Sequence, residues 1–470
     1  MIPLHEAAAA LGASFTGALS VSAVETDTRT LTPGGLFVAL RGERFDGHDF
    51  VAMAAEAGAA AAMVDRAYAD ATPDAPALPL LVVDDTRRAL GALAAWWRQR
   101  FDIPLIGITG SNGKTTVKEM CAAILRATAR REGVDPDGAV LATAGNFNND
   151  IGLPLTLLRL RDSHRAAVIE MGMNQPGEIG YLTAIARPTV AIVNNALRAH
   201  LEGLGSVEDV AREKGSIYDG LGEGGTAIVN ADDAFASQWI AHNAGRKVVR
   251  FGLDAADAEV RAVCESRRLT VRMMLTTPAG AIECTLQVPG LHNARNATGA
   301  AAACLAAGAT LADVARGLGD YTGTRGRLQQ RRAIGGAVVL DDTYNANPDS
   351  VRVAIDVLAA TPGRKVLVLG DMGELGAASA QLHDEVGGYS KSQGVDHLLA
   401  LGAASAVAAR NFGPGGEHFG AIEPLIERLR ELLDADTVAL VKGSRFMRME
   451  RVVAAVADGG DAGEGRSHVA

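Results

Sequence analysis

The strand-like stretch Leu105–Thr109 runs into Gly110-Ser111-Asn112-Gly113-Lys114-Thr115-Thr116, and a helical pattern without Pro or Gly follows from Val117 to Thr128. A strand, a glycine turn and a helix N-terminus together make an anion site. Backbone N–H groups point at the anion, the helix dipole favours negative charge, and Lys114 adds a full cation. The chemistry indicated is nucleotide phosphate binding, with the Thr115 hydroxyl placed for Mg²⁺. The spacing departs from the generic phosphate-loop pattern. Its first glycine position is occupied by Ile108, while Gly107 lies one residue too early and Gly110 falls inside the loop. A plain glycine turn is the bland alternative, and Lys114 in this context weighs against it.

Other chemistry-bearing residues follow strand ends. Glu170 ends the strand Ala166–Met171, where an acid beside a phosphate loop can hold Mg²⁺ or a water on it. Asn194-Asn195 end the strand Thr189–Asn194, with His200 shortly after. In a doubly wound sheet ligands sit at the carboxyl ends of strands, although a hydrogen-bonded loop histidine is the simpler account of His200 alone. Ser206 opens a helix with a capping-box-like pattern, and Lys214 near its end reads as a solvated cation favoured by the dipole. Asn146, Asn148 and Asn149 crowd beside Gly145, as a turn or as a substrate site. Asp341-Asp342-Thr343-Tyr344-Asn345-Ala346-Asn347-Pro348 offers carboxylates, a phenol and amides to a ligand, or a strand end with helix capping.

These residues need a scaffold. The chain has 470 residues, which suggests about three domains. Hydrophobic residues make up 48% and aromatics 4%, with abundant Ala and Gly, which favours close-packed helices on sheets in an α/β protein. A net charge of −10 argues against nucleic-acid or membrane-surface partners. No uninterrupted apolar run is long enough for membrane insertion, and the N-terminus lacks a signal-peptide pattern. Cys121, Cys264, Cys284 and Cys304 lack metal-ligand spacing and read as reduced thiols of the cytoplasm.

Along the chain, residues 1–98 read as a small α/β domain with strands Leu36–Leu40 and Leu80–Asp84 and helices Phe50–Ala61 and Thr86–Arg100. Residues 99–324 alternate strand and helix, predicting a central parallel-sheet nucleotide-binding domain. Its strands are Leu105–Thr109, Ala166–Met171, Thr189–Asn194, Thr226–Asn230 and Lys247–Phe251. Glu259–Glu265, Thr270–Thr276 and Ala281–Val288 alternate in polarity and predict an antiparallel appendage before a helix at Asn293–Ala307. Residues 325–458 restart the pattern with strands Val338–Asp342, Lys365–Leu369, His397–Leu401 and Thr437–Val441, a Rossmann-like doubly wound domain. Residues 459–470 are Gly-rich and polar and read as a disordered tail.

Taken together and in this order, the motifs resemble those of the Mur ligases, ATP-dependent enzymes that add amino acids to the bacterial cell-wall precursor. Thr109-Gly110-Ser111-Asn112-Gly113-Lys114-Thr115 matches the family's form of the phosphate loop. The resemblance extends over Asp27-Thr28-Arg29, Asp46-Gly47-His48, the Gly145 block, Ala211-Arg212-Glu213-Lys214-Gly215, His292-Asn293 with Asn296, Gly326-Arg327, Tyr344–Pro348 and Leu369–Gly376. It implies a monomer that uses ATP and Mg²⁺, two ions in all, to join D-alanyl-D-alanine to UDP-N-acetylmuramoyl-tripeptide through an acyl phosphate. A member adding a single amino acid is the alternative. The resemblance further implies catalytic roles for Lys114, Glu170, His200 and Lys214, with Lys214 carbamylated. It places metal on Thr115, Glu170, His200 and Lys214. ATP would meet residues 110–116 (Gly110, Ser111, Asn112, Gly113, Lys114, Thr115 and Thr116), with Asn296 near adenine, and Arg327 and Asp342 reaching over from the last domain. The UDP-precursor would meet Thr28, Arg29, Asp46, His48, Asn146, Asn148 and Asn149, and D-alanyl-D-alanine would meet Tyr344, Asn345 and Asn347. Domain closure about Gly323–Gly326 would complete the site. A phosphate-loop GTPase would instead need a guanine-selecting Asn-Lys-x-Asp segment, which is missing.

Overall fold

A computed structural model describes residues 1–15, 18–72, 78–267 and 269–458, so the expected tail at 459–470 lies outside the described residues. Three separate sheets carry the bulk of the chain, alongside a two-residue ladder near the N-terminus.

The first sheet is parallel, with β1 (Val24–Glu25), β2 (Leu36–Val38), β3 (Ala61–Asp65) and β4 (Leu80–Val83) side by side in that order. The helix expected over Phe50–Ala61 is shorter, spanning Val51–Glu56. Gly58, at φ 91°, turns the chain back so that Ala61 begins β3. An alanine-rich run ending in Ala61-Ala62-Met63-Val64 continues a helical composition, which is why β3 is invisible to periodicity. The strand is buried along that run, as parallel strands usually are.

Helix α1 (Thr86–Arg98) starts at Asp85, whose carboxylate accepts from the Arg87 and Arg88 amides. It joins the first sheet to the next. Leu90, Leu93 and Trp97 share one buried cluster with Leu36 and Met63 on one side and Leu153, Ile169 and Leu182 on the other. Gly91 permits this approach, because a Cβ there would lie 2.2 Å from the Tyr181 hydroxyl. Each such buried side chain contributes roughly 1.5–3 kcal/mol. The first two units are therefore fused through one core.

The central sheet has nine strands: β5 (Leu105–Thr109), β6 (Val140–Ala142), β7 (Ala166–Glu170), β8 (Val190–Val193), β9 (Thr226–Asn230), β10 (Lys247–Gly252), β11 (Val260–Arg267), β12 (Thr270–Thr277) and β13 (Gly280–Leu286). Their order is β13-β12-β11-β10-β9-β8-β5-β7-β6. The chain reverses direction across the sheet at β5, the place where α/β sheets open a crevice. Helix α2 (Lys114–Arg131) follows β5 and starts earlier than the sequence pattern indicated. The expected antiparallel appendage is corrected in one respect. β11 pairs in parallel with β10, so β11–β13 extend the main sheet without a break. Helix α3 (Val207–Gly215) lies before β9, and helix α4 (Leu291–Ala306) follows β13, with a further helix over Leu311–Asp320 closing the unit.

The last sheet contains β14 (Gln329–Arg332), β15 (Val338–Asp342), β16 (Arg364–Gly370), β17 (His397–Leu401), β18 (Gly416–Phe419) and β19 (Thr437–Lys442), in the order β14-β15-β19-β16-β17-β18. Only β14 is antiparallel to its neighbour. Both edges, β14 and β18, are polar and were missed by sequence reading. Separate cores cover its two faces, with helices α5 (Pro348–Ala359) and α6 (Ser379–Ser392) on one of them. Among the described residues no helix is long and apolar enough to cross a membrane. Cys121, Cys284 and Cys304 are buried, Cys264 is half-buried, and all four are free thiols.

Candidate active site

The loop after β5 is built by its glycines. Gly113 has φ 80°, and a Cβ there would lie 2.6 Å from the amide atoms of both Asn194 and Asn296. Neighbouring asparagines then fix the loop's shape. Asn195 accepts from the Asn112 amide at 2.9 Å and donates to the Asn112 carbonyl at 3.1 Å. Asn194 donates to the same carbonyl and to Asn296 Oδ1, each at 2.9 Å. Ser111 is tied by its amide to the Asn195 carbonyl and by its hydroxyl to the Leu197 carbonyl and amide. Lys114 folds over the loop and donates to the Gly110 carbonyl at 2.7 Å. Burial lowers its pKa, opposed by the Glu170 charge.

Thr115 and Glu170 meet at the base, with the Thr115 hydroxyl donating to the carboxylate at 2.9 Å. The other carboxylate oxygen accepts from Asn148 at 2.8 Å, and Glu170 is 2% exposed. Hard oxygen donors of this kind suit Mg²⁺, which takes one or two protein ligands and completes its shell with phosphate and water. No cluster of three His, Cys, Asp or Glu side chains forms a metal cage among the described residues. Thr115 and Glu170 thus come together in one hydrogen bond, while His200 lines the same cleft and bonds Glu374.

Lys214 corrects the solvated reading. It is 1% exposed within α3. Burial, helped by repulsion from Lys114, holds its pKa well below the usual lysine range. Its neighbour Glu213 is also buried, because its carboxylate accepts the Gly177 and Ile179 amides at 2.8 and 2.9 Å. Lys214 has no such partner among the described residues.

The last domain closes over the loop. Arg327 donates to the Thr115 hydroxyl at 2.9 Å and stacks on the Tyr344 ring at 4.1 Å. Asn347 caps α5 through Ser350 and donates to Asn112 Oδ1 at 2.8 Å. His200 Nδ1 lies 3.0 Å from Glu374 Oε2. Burial lowers the His200 pKa and Glu374 opposes the shift. Asp342 is engaged rather than free, pairing with Lys442 at 2.6 Å and accepting from the Leu328 amide. Asn345 accepts from the Ala346 amide with its side chain and from Lys442 with its carbonyl.

Between these walls lies a cleft of about 1160 Å³, roomy against the ~300–1000 Å³ typical of small-molecule sites. It is lined by the loop, Glu170, His200, Asn296, Arg327, Asp342, Tyr344, Asn345 and Asn347, and by Asn146, Asn148 and Asn149. Thr28, Arg29, Asp46 and His48 do not line it. Arg29 pairs with Asp27. His48, 3% exposed, has Nδ1 on Asp46 and Nε2 accepting from the Asp65 amide. Both ring nitrogens are engaged, so His48 ties its own turn to the end of β3 at Asp65. Asp46 also takes the His48 amide and pairs with Arg41. Glu374 and Arg198 were not singled out by sequence reasoning, since their partners are distant in the chain.

Family models match the chain in three stretches: a Mur ligase middle domain over residues 108–304, a Mur ligase, glutamate ligase domain over 326–445, and a Mur ligase family, catalytic domain over 20–98. The chain belongs to the Mur ligase family. Among curated Mur ligases, the UDP-N-acetylmuramoyl-tripeptide–D-alanyl-D-alanine ligase of Escherichia coli (strain K12) is 45% identical over 94% of this chain and 95% of its own. A crystal structure of MurF from Acinetobacter baumannii superposes with a TM-score of 0.87 at 34% identity, covering 96% of this chain and 98% of that one. A MurF ligase from Thermotoga maritima in complex with ADP gives a TM-score of 0.78 at 25% identity, covering 92% and 96%. The three-sheet architecture is that of a Mur ligase.

Proposed function

We propose that this chain is an ATP-dependent ligase that joins D-alanyl-D-alanine to UDP-N-acetylmuramoyl-tripeptide, releasing ADP and phosphate. One observation carries the reading. Lys114 and Glu170 share a single cleft with Arg327 of the last domain, and the Thr115 hydroxyl bonds both Glu170 and Arg327, in a chain 45% identical to the Escherichia coli enzyme of that activity.

A carboxylate is a poor electrophile and does not condense with an amine unaided. In the first step a terminal carboxylate oxygen of the tripeptide attacks the γ-phosphorus of ATP. The bond to ADP breaks and an acyl phosphate forms. In the second step the amine of D-alanyl-D-alanine attacks the acyl carbon and gives up a proton. The tetrahedral intermediate then expels phosphate. The first step brings anions together, so cations must screen them. Lys114 supplies one from the loop, and Arg327 arrives with the last domain, already oriented by Tyr344 and Thr115.

Thr115, Glu170, His200 and Lys214 are the residues that would hold two Mg²⁺ ions, whose chemistry is to neutralise phosphate oxygens. Lys214 would serve as a carbamate, formed when its amine adds to CO₂ and loses a proton. Carbamylation requires the neutral amine that burial favours here. Asn296 and Asp342 line the region of the cleft assigned to adenine and ribose. Tyr344, Asn345 and Asn347 would meet D-alanyl-D-alanine, and Asn146, Asn148 and Asn149 the peptide of the precursor. Its uridine end is assigned to the first domain near Thr28 and Arg29, with Asp46 and His48 behind them. The domain limits 1–98, 99–324 and 325–458, a monomeric state and a place in the cytoplasm complete the reading.

The test is phosphate release with ATP and precursors ending in meso-diaminopimelate or lysine. Release is expected with D-alanyl-D-alanine. Release driven by single amino acids or by glutamate alone would replace this reading with a different amide ligase.

A further inference from the structure

The segment from the end of β8 to His200 has few partners of its own kind. Its amides are instead handed to three different regions of the molecule. Ala196 donates to Asp233 in the central unit at 3.0 Å. Leu197 donates to Ser111 in the phosphate loop at 2.9 Å. Arg198 donates to Asp349 at 3.0 Å, and Asp349 lies in the first turn of α5 in the last domain. The segment then ends at His200, held at φ 58°, a backbone state that costs a non-glycine residue about 1 kcal/mol or more.

The Arg198 side chain reinforces the same link. Its guanidinium donates to Asp349 at 2.6 and 3.0 Å and to Glu385 on α6 at 3.1 and 3.2 Å. Arg352 holds Glu385 from the other side at 2.8 Å and stacks on Tyr389 at 4.2 Å. A planar fork reading two carboxylates is geometry that Arg provides and Lys does not. Arg198 has no carboxylate partner inside its own unit among the described residues. The grip therefore exists only while the last domain is docked.

We propose that Arg198 is a positioning residue, which sets the His200 segment into its working arrangement by gripping Asp349 and Glu385 when the domains close. This rests on the ligase reading above. It adds that the arrangement of His200 is conditional on closure. In the open state the segment would keep its ties to Asp233 and Ser111 but lose both the Arg198 grip and the contact of His200 with Glu374. The groups are partly exposed, with side-chain accessibilities of 31% for Arg198, 20% for Asp349 and 31% for Glu385. Salt should therefore weaken the grip.

The experiment compares the full-length wild type with Arg198→Ala, Arg198→Lys, Asp349→Asn and the Arg198→Ala/Asp349→Asn pair. The readouts are steady-state ligation from low to high KCl and the thermal midpoint of each protein. Arg198→Ala is expected to lower kcat about tenfold, with KM for ATP changed less than twofold, because the loop's own bonds remain. Arg198→Lys should recover some of the loss. The double variant should be no slower than the worse single variant, since both remove one interaction. Wild-type kcat should fall with salt more steeply than that of Arg198→Ala. An unchanged kcat in Arg198→Ala overturns the proposal. So do multiplicative losses in the double variant, equal salt slopes, or a kcat loss that follows a lowered thermal midpoint in every variant. Wild-type ligation is measured in the same series, so failure of the ligase reading shows separately, as wild type without D-alanyl-D-alanine-dependent turnover.

Discussion

His200 and Glu374 meet across the boundary between the central and last domains, 3.0 Å apart, and both are held in left-handed backbone conformations, at φ 58° and 60°. Neither is a glycine, so each carries local strain that the surrounding structure must offset. Two strained residues forming one contact across this boundary is the arrangement expected if closure sets the site.

That contact can be separated from the strain. Glu374→Ala removes the carboxylate and keeps the unfavourable φ, whereas Glu374→Gly removes both. Both variants should lose about tenfold in kcat. Thermal melts should place Glu374→Gly roughly 1 kcal/mol above Glu374→Ala in stability. Equal stability of the two would mean that φ 60° stores nothing.

Lys214→Ala is expected to abolish ligation, and short carboxylates added to the buffer should partly restore it. The added anion would take the place of the proposed Lys214 carbamate. Wild-type turnover in this variant would remove Lys214 from the mechanism.

Gly113→Ala should weaken nucleotide binding at least tenfold in calorimetric titration. The new methyl group would collide with Asn194 and Asn296, and φ 80° is strained for alanine. Retained affinity would show that the loop can reshape around a side chain.

Burial pushes the His292 ring from 6.5 down to about 4. A histidine whose folded pKa is depressed is neutral in both states at higher pH, so it costs nothing there. As pH falls below 6.5 the unfolded chain takes up a proton that the folded chain resists until about 4. Stability is lost across that window, at most about 1.4 kcal/mol per pH unit. His292→Gln should melt with a shallower dependence between pH 6.5 and 4 than the wild type. Parallel curves would rule out His292 as a source of acid sensitivity.

Scattering in solution tests the hinge. Gly323 and Gly326 both have positive φ, at 105° and 72°. The radius of gyration should shrink when an ATP analogue and precursor are added together. An unchanged value would count against closure about this segment.

Much of the site was legible because strand ends and phosphate loops have local signatures. Lys114, Thr115 and Glu170 follow strands whose apolar runs are unmistakable, and the structure brings Lys114 and Glu170 into one cleft with Thr115 bonded to Glu170. Lys214 was legible only through family resemblance. On its own helix it looks like a favourable C-terminal cation, and its burial comes from how α3 is pinned by Glu213 to the helix start near Gly177. His48 was named only through family resemblance, and its bonds to Asp46 and to the Asp65 amide could not be read from local sequence. Arg198 gave no signal at all, since Asp349 and Glu385 are remote in sequence. β3 was lost to alanine-rich composition, and β14 and β18 to the polarity of sheet edges.

The core shared by Leu36, Leu93 and Ile169 has a last consequence. Among the described residues it leaves the buried clusters divisible at one place. A cut near Gly323 would release a pair of fragments that each keep their apolar interiors whole, whereas a cut after Arg98 would tear one open. Among the described residues the chain in this sense has one seam, and the seam passes through the cleft.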